Sequence, residues 1–136
     1  MTKARFLNPQ TIAPPPGNGY THVVEATGPG RTIYIAGQLG LGLDDRLVGE
    51  PGDFRAQAER AFENLRAALE AVGADFKDVV KVNNYLVNIK HLPLLREVRN
   101  RYFNMAAPPA STTIAITAFA REGALFEIDA IAVLPA

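Results

Sequence analysis

The stretch from Leu125 to Val133 carries apolar side chains on both sides of an extended strand. Side chains alternate along a strand, so Leu125, Ile131 and Val133 fall on one side and Phe126, Ile128 and Ala130 on the other. A sheet built on such a strand must be covered twice. Two segments of the chain have helical spacing, and two helices can cover one face. The second face then needs another partner, because a large apolar patch is seldom left to water. Self-association is therefore an expectation of the residues themselves. The 136 residues fit one domain, 1–136, and 48% of them are apolar, enough for a single core.

The elements are read from period and punctuation. Pro14-Pro15-Pro16-Gly17-Asn18-Gly19 is a loop, since proline removes donors and glycine lacks restraint. His22 to Thr27 reads as a strand, Gly28-Pro29-Gly30 as a turn, and Ile33 to Ala36 as a second strand paired with the first in a hairpin. A long glycine-rich loop runs to Gly52. Asp53 is placed to cap a helix whose apolar stripe is Phe54, Ala58, Ala61, Leu65, Ala68, Leu69 and Val72, with Gly73 as its stop. Val79 to Val87 is β-branched and aromatic, hence strand. A second helix is expected over about Leu92 to Asn104. Thr112 to Ala120 and Ala124 to Val133 read as a final hairpin around Arg121-Glu122-Gly123. With a short strand near Phe6, the order is that of an α+β fold with a mixed sheet and two helices on one face. Asn83-Asn84, two amides inside a strand, is an unusual pair whose service to fold or ligand the residues leave open.

Composition narrows the function classes. Lys plus Arg and Asp plus Glu both number 14, against the basic excess that nucleic-acid and membrane-surface proteins use. No cysteine is present, which removes thiol nucleophiles, disulfides and zinc ribbons. His22 and His91 lack ligand spacing and read as surface or strand histidines, so no metal is expected. Gly40-Leu41-Gly42 lacks the strand–turn–helix setting of a dinucleotide fingerprint. The first residues lack the apolar core of a signal peptide, and nothing approaches the roughly 20 apolar residues of a membrane span. A cytoplasmic location with no membrane partner is the expectation.

Several segments, in order, resemble one family. They are Ala36-Gly37-Gln38, the helix with Gln57-Ala58 and Asn64-Leu65, Val79-Val80-Lys81-Val82 leading to Tyr85-Leu86, and Glu127-Ile128-Asp129-Ala130-Ile131-Ala132. Together they resemble the YjgF/YER057c/UK114 family, whose best-known branch is the RidA imine deaminases. The resemblance runs from about Phe6 to Val133. It implies a chorismate-mutase-like protomer and a homotrimeric barrel with clefts between neighbouring subunits. It also implies cofactor-free hydrolysis of reactive enamines and imines, small anionic metabolites, to keto acids and ammonia.

Site residues follow position by position. Glu127 stands where the family's water-handling glutamate stands and is the catalytic candidate. Tyr20 resembles the cleft tyrosine after the proline-rich loop. Gly37 matches the backbone contact of the Ser-Gly-Gln turn, with Ala36 in place of serine. Thr113 stands where many relatives have cysteine. In Pro109-Ala110-Ser111-Thr112-Thr113-Ile114, Ser111 occupies the place of the arginine that grips the substrate carboxylate. A hydroxyl cannot make that bidentate, charge-assisted contact. Arg99, where the second helix often has asparagine, offers a relocated positive charge. Glu127 and Asp129 share a strand face about 6–7 Å apart, which predicts one carboxylate titrating high, Glu127 before Asp129.

Two functions are consistent with these residues. One is a hydrolytic deaminase of an imine, enamine or related anionic metabolite. The alternative is a non-catalytic trimer that binds small carboxylates or serves regulation, supported by Ser111. The older family label of ribonuclease is disfavoured by the neutral charge and the lack of a basic patch.

Overall fold

The computed structural model describes residues 3–136, the side chain of Asn18 apart. Its elements are β1 (Lys3–Leu7), β2 (Val23–Thr27), β3 (Gly30–Leu39), α1 (Phe54–Glu70), β4 (Val79–Leu86), α2 (Leu92–Arg99), β5 (Ala110–Ala115) and β6 (Phe126–Pro135). β1 and β2 form a two-stranded antiparallel ribbon. The other four strands form one mixed sheet in the order β3-β6-β4-β5, in which only β4 and β5 run parallel.

The α+β architecture and the long first helix agree with the sequence reading. Asp53 Oδ1 accepts from the Ala56 N–H at 3.0 Å and starts α1. Its stripe of Phe54, Ala58, Ala61, Phe62, Leu65 and Leu69 is buried on β3 and β6. Gly73 ends the segment at φ +76°, in the left-handed region that favours glycine. On β6 the residues Phe126, Ile128, Ala130, Ala132 and Leu134 point into this core, while the residues between them are half-buried on the opposite, open face.

Both expected hairpins are corrected. β2 pairs with β1 rather than with β3, and β3 pairs with β6. The segment after Pro109 becomes the short β5 and pairs parallel to β4, not to β6. For the second hairpin the reason is central placement: β3 and β4 already occupy both edges of β6, so none is left for β5. A parallel neighbour needs a crossover, and residues 87–109, with α2 inside them, supply it. The second helix also stops earlier than expected, at Arg99. Arg99 Nε and Nη2 both donate to Asn100 Oδ1, and the following turn carries Tyr102 and Phe103 onto Phe62. Among the described residues no helix is long and apolar enough to cross a membrane.

Candidate functional site

The structure divides the predicted site residues between the two faces of the four-stranded sheet. Tyr20, Arg99, Ser111 and Thr113 line one pocket of about 390 Å³, between α2, the edge strand β5 and the loop 16–20. Glu127 and Gly37 lie together on the open face.

The pocket is assembled by strand alternation. Ser111 and Thr113 point to the helix side of β5, as does their neighbour Asn84 on β4. Asn84 is 4% exposed, and its Nδ2 donates to Ser111 Oγ at 3.1 Å and Thr113 Oγ1 at 3.3 Å. Tyr20 is held over the pocket by its buried neighbour Thr21. That hydroxyl donates to the Pro108 carbonyl, and the Thr21 N–H donates to Pro109 O at 3.2 Å. The proline-rich loop and Pro108-Pro109 are therefore fastened to each other. Arg99 enters from the last turn of α2. Its partial burial, and secondarily the Arg96 charge, lower its pKa from the usual arginine value. Gly19 makes room for it. With an ordinary helical φ of −75°, that position needs no glycine for its backbone, but a Cβ there would lie 3.2 Å from Arg99 Nη1.

The open face carries the carboxylates. Tyr85 Oη donates to Asp129 Oδ2 at 3.2 Å and Asn83 Nδ2 donates to Asp129 Oδ1 at 2.8 Å, so both oxygens of Asp129 accept. Among the described residues no donor reaches the Glu127 carboxylate. Burial first, and then the Asp129 charge, raises its pKa from the ordinary 4.5. This is the direction expected from the shared face. The same surroundings raise Tyr85, by burial first and then by Asp129. The Glu127 carboxylate lies directly against Gly37, where a Cβ would fall 2.5 Å from Glu127 Cδ. The β3 register shifts at this point, between Ile35 and Gln38. Asn64 Nδ2 donates to the Leu39 and Leu41 carbonyls, both at 2.9 Å, and pins the chain that follows Gly37.

Within one copy of the chain, Glu127 does not meet Ser111, Thr113 or Arg99, because the sheet lies between them. The sequence reading missed Arg96, Gly19 and Thr21. It singled out Asn83-Asn84, and the two-residue period assigns those amides: Asn83 to the carboxylates, Asn84 to the hydroxyls. His22 Nε2 lies 2.7 Å from the Ala13 carbonyl and His91 stacks on Phe54 at 4.5 Å. Among the described residues no three His, Asp or Glu side chains converge as a metal site.

Comparison with known proteins places these features in context. Residues 10–134 match the family model for endoribonuclease L-PSP. The chain is 36% identical over 125 residues to a 2-iminobutanoate/2-iminopropanoate deaminase of Mus musculus, covering 90% of this chain and 87% of that one. It is 38% identical over 125 residues to protein DfrA of Myxococcus xanthus, covering 92% and 88%. Among solved structures, the Rid family protein YyfB of Yersinia pestis superposes with a TM-score of 0.82 at 33% identity, covering 96% of this chain and 98% of that chain. RidA from an Antarctic Psychrobacter gives 0.71 at 34% identity, covering 82% and 88%.

Proposed function

The chain belongs to the endoribonuclease L-PSP family, the YjgF/RidA proteins, and from that premise we propose that it hydrolyses the imines or enamines of small anionic metabolites. The reaction site is a cleft completed between copies of a homotrimer. One copy supplies the pocket of Tyr20, Arg99, Ser111 and Thr113, and a neighbour supplies Glu127 and Gly37.

The observation that carries this reading is the Glu127 carboxylate: half-buried, without a donor among the described residues, and raised in pKa beside Asp129. A group that must take and return protons works best with its pKa near the working pH. Glu127 first moves a proton from the attacking water to the imine nitrogen as the water oxygen bonds to carbon. It then moves the hydroxyl proton to the departing amine. The carbonyl forms and ammonia leaves, so imine and water become ketone and ammonia. Gly37 leaves the carboxylate its place at the bend of β3.

Ser111 favours a second reading, a trimer that binds small carboxylates without turning them over. Ammonia release from freshly generated 2-aminoacrylate separates the two. The expected result is turnover weaker than that of arginine-bearing relatives, with binding lower by roughly 10- to 150-fold for one lost charge-assisted contact. Carboxylate binding with no ammonia from any imine would leave the second reading. Light scattering should give three chain masses. A monomer at micromolar concentration would remove the shared cleft.

A further inference from the structure

The pocket behind Ser111 holds more positive charge than one carboxylate needs. Arg96 and Arg99 both line it, three residues apart on the last turn of α2, a spacing that puts side chains on neighbouring positions with Cβ atoms roughly 5–6 Å apart. Arg5, Arg55, Arg66, Arg101 and Arg121 are each paired with a carboxylate. Among the described residues Arg96 and Arg99 have no acidic partner, a state they share with Arg31, Arg46 and Arg60, but they alone of these five line this pocket, and no acidic residue lines it. A helix C-terminus favours cations in its last turn. That accounts for two basic residues there, but not for the inward placement of Arg99 against a glycine that leaves it room.

The rest of the lining points the same way. Asn84 Nδ2 lies within hydrogen-bond reach of the Ser111 and Thr113 hydroxyl oxygens, at 3.1 and 3.3 Å, and of the Thr112 carbonyl at 3.4 Å. A hydroxyl that accepts from Asn84 keeps its own proton to donate elsewhere. Two guanidinium groups and two hydroxyl protons thus surround one cavity. The missing element is negative charge, and more than one unit of it.

We propose that this pocket takes a small dicarboxylate, gripped by Arg99 and Arg96 and oriented by the Ser111 and Thr113 hydroxyls, so that the substrates are the 2-imino dicarboxylates derived from acidic amino acids. The substrate class rests on the deaminase reading; the dicarboxylate pocket does not. Arg99 holds the carboxylate next to the imine carbon, in place of the family's arginine. Arg96 holds the distal one and sets specificity.

Calorimetric titration of the wild-type protein with succinate and 2-oxoglutarate, against propionate and pyruvate, tests the pocket without any turnover. The expected result is a dicarboxylate preference of about tenfold or more, from one added charge-assisted contact. Arg96→Ala, at an exposed position, should reduce that preference to near unity. Arg99→Lys keeps a charge, loses the planar fork, and should weaken dicarboxylates and monocarboxylates together. Equal wild-type affinity for the two classes overturns the proposal, as does a preference that Arg96→Ala leaves intact. Tighter binding of glycerol phosphate than of succinate overturns the dicarboxylate assignment. Dicarboxylate binding without ammonia from a 2-imino dicarboxylate sinks the deaminase reading and leaves the pocket standing. Equal turnover of mono- and dicarboxylate imines does the reverse.

Discussion

The two faces of the four-stranded sheet use the same device for opposite charges. On the open face, Gly37 leaves room for the Glu127 carboxylate. On the helix side, Gly19 leaves room for the Arg99 guanidinium. Each charged group is half-buried and without an oppositely charged partner among the described residues. Adjacent residues of β4 serve the two sides: Asn83 binds Asp129, and Asn84 binds Ser111 and Thr113. A sheet only one residue thick thus separates an acidic surface from a cationic pocket. The separation prevents Glu127 and Arg99 from neutralising each other within one chain, as the proposed cleft between copies requires.

The largest test of that division is Glu127→Gln. It keeps size and shape but cannot carry protons, so ammonia release should fall by about 10²-fold or more while the proposed trimer stays folded. Full turnover in this variant would make the open-face carboxylate structural. Gly37→Ala comes next. Its Cβ would lie 2.5 Å from Glu127 Cδ and would push the carboxylate aside. A displacement of that size costs a reaction about tenfold to 10²-fold. The melting temperature should move little, because the displaced atoms end a flexible side chain. Gly19→Ala is the matched change on the other face. The contact at 3.2 Å asks Arg99 to give only a few tenths of an ångström. Carboxylate affinity should drop no more than a few-fold. A larger loss than that of Gly37→Ala would reverse the ranking of the two faces.

Asn84→Ala against Asn83→Ala compares the faces by stability alone. Asn84 is buried and donates to two hydroxyls, so its loss should cost about 1–3 kcal/mol in denaturant unfolding. Asn83 makes one bond on a half-open surface and should cost about 1 kcal/mol or less. The smallest expected effect is on pH dependence. Glu127 has a folded-state pKa raised above its unfolded value near 4.5, so between the two the folded chain binds the extra proton. Its stabilising contribution is complete below the unfolded value and is lost as pH rises through the raised folded value. Glu127→Gln should flatten that fall, and its melting temperature should exceed wild type slightly at neutral pH. A variant that loses stability there would show that Glu127 has gained a cationic partner in the assembly.

Much of this protein was legible without coordinates. The capped first helix, the strand order up to β4, and the two-sided character of β6 follow from local rules: cap, stop, period and branching. The period of two also put Glu127 and Asp129 on one face, and motif order marked Glu127, Gly37, Tyr20 and Ser111 as candidates. Strand pairing was not legible. Adjacency in sequence suggests hairpins, but both edges of β6 are taken by β3 and β4, which excludes β5, and which strand takes an edge depends on contacts far apart in the chain. The same holds for the site. Arg96 looks like an ordinary solvated residue at a helix end until the crossover after β4 sets α2 above Ser111 and Thr113, beside the Arg99 that motif position had marked. Gly19 and Gly37 look like turn residues until the side chains that need their empty space arrive from α2 and β6. Local periodicity decides which way a side chain points. Only the packing of distant segments decides what it meets there.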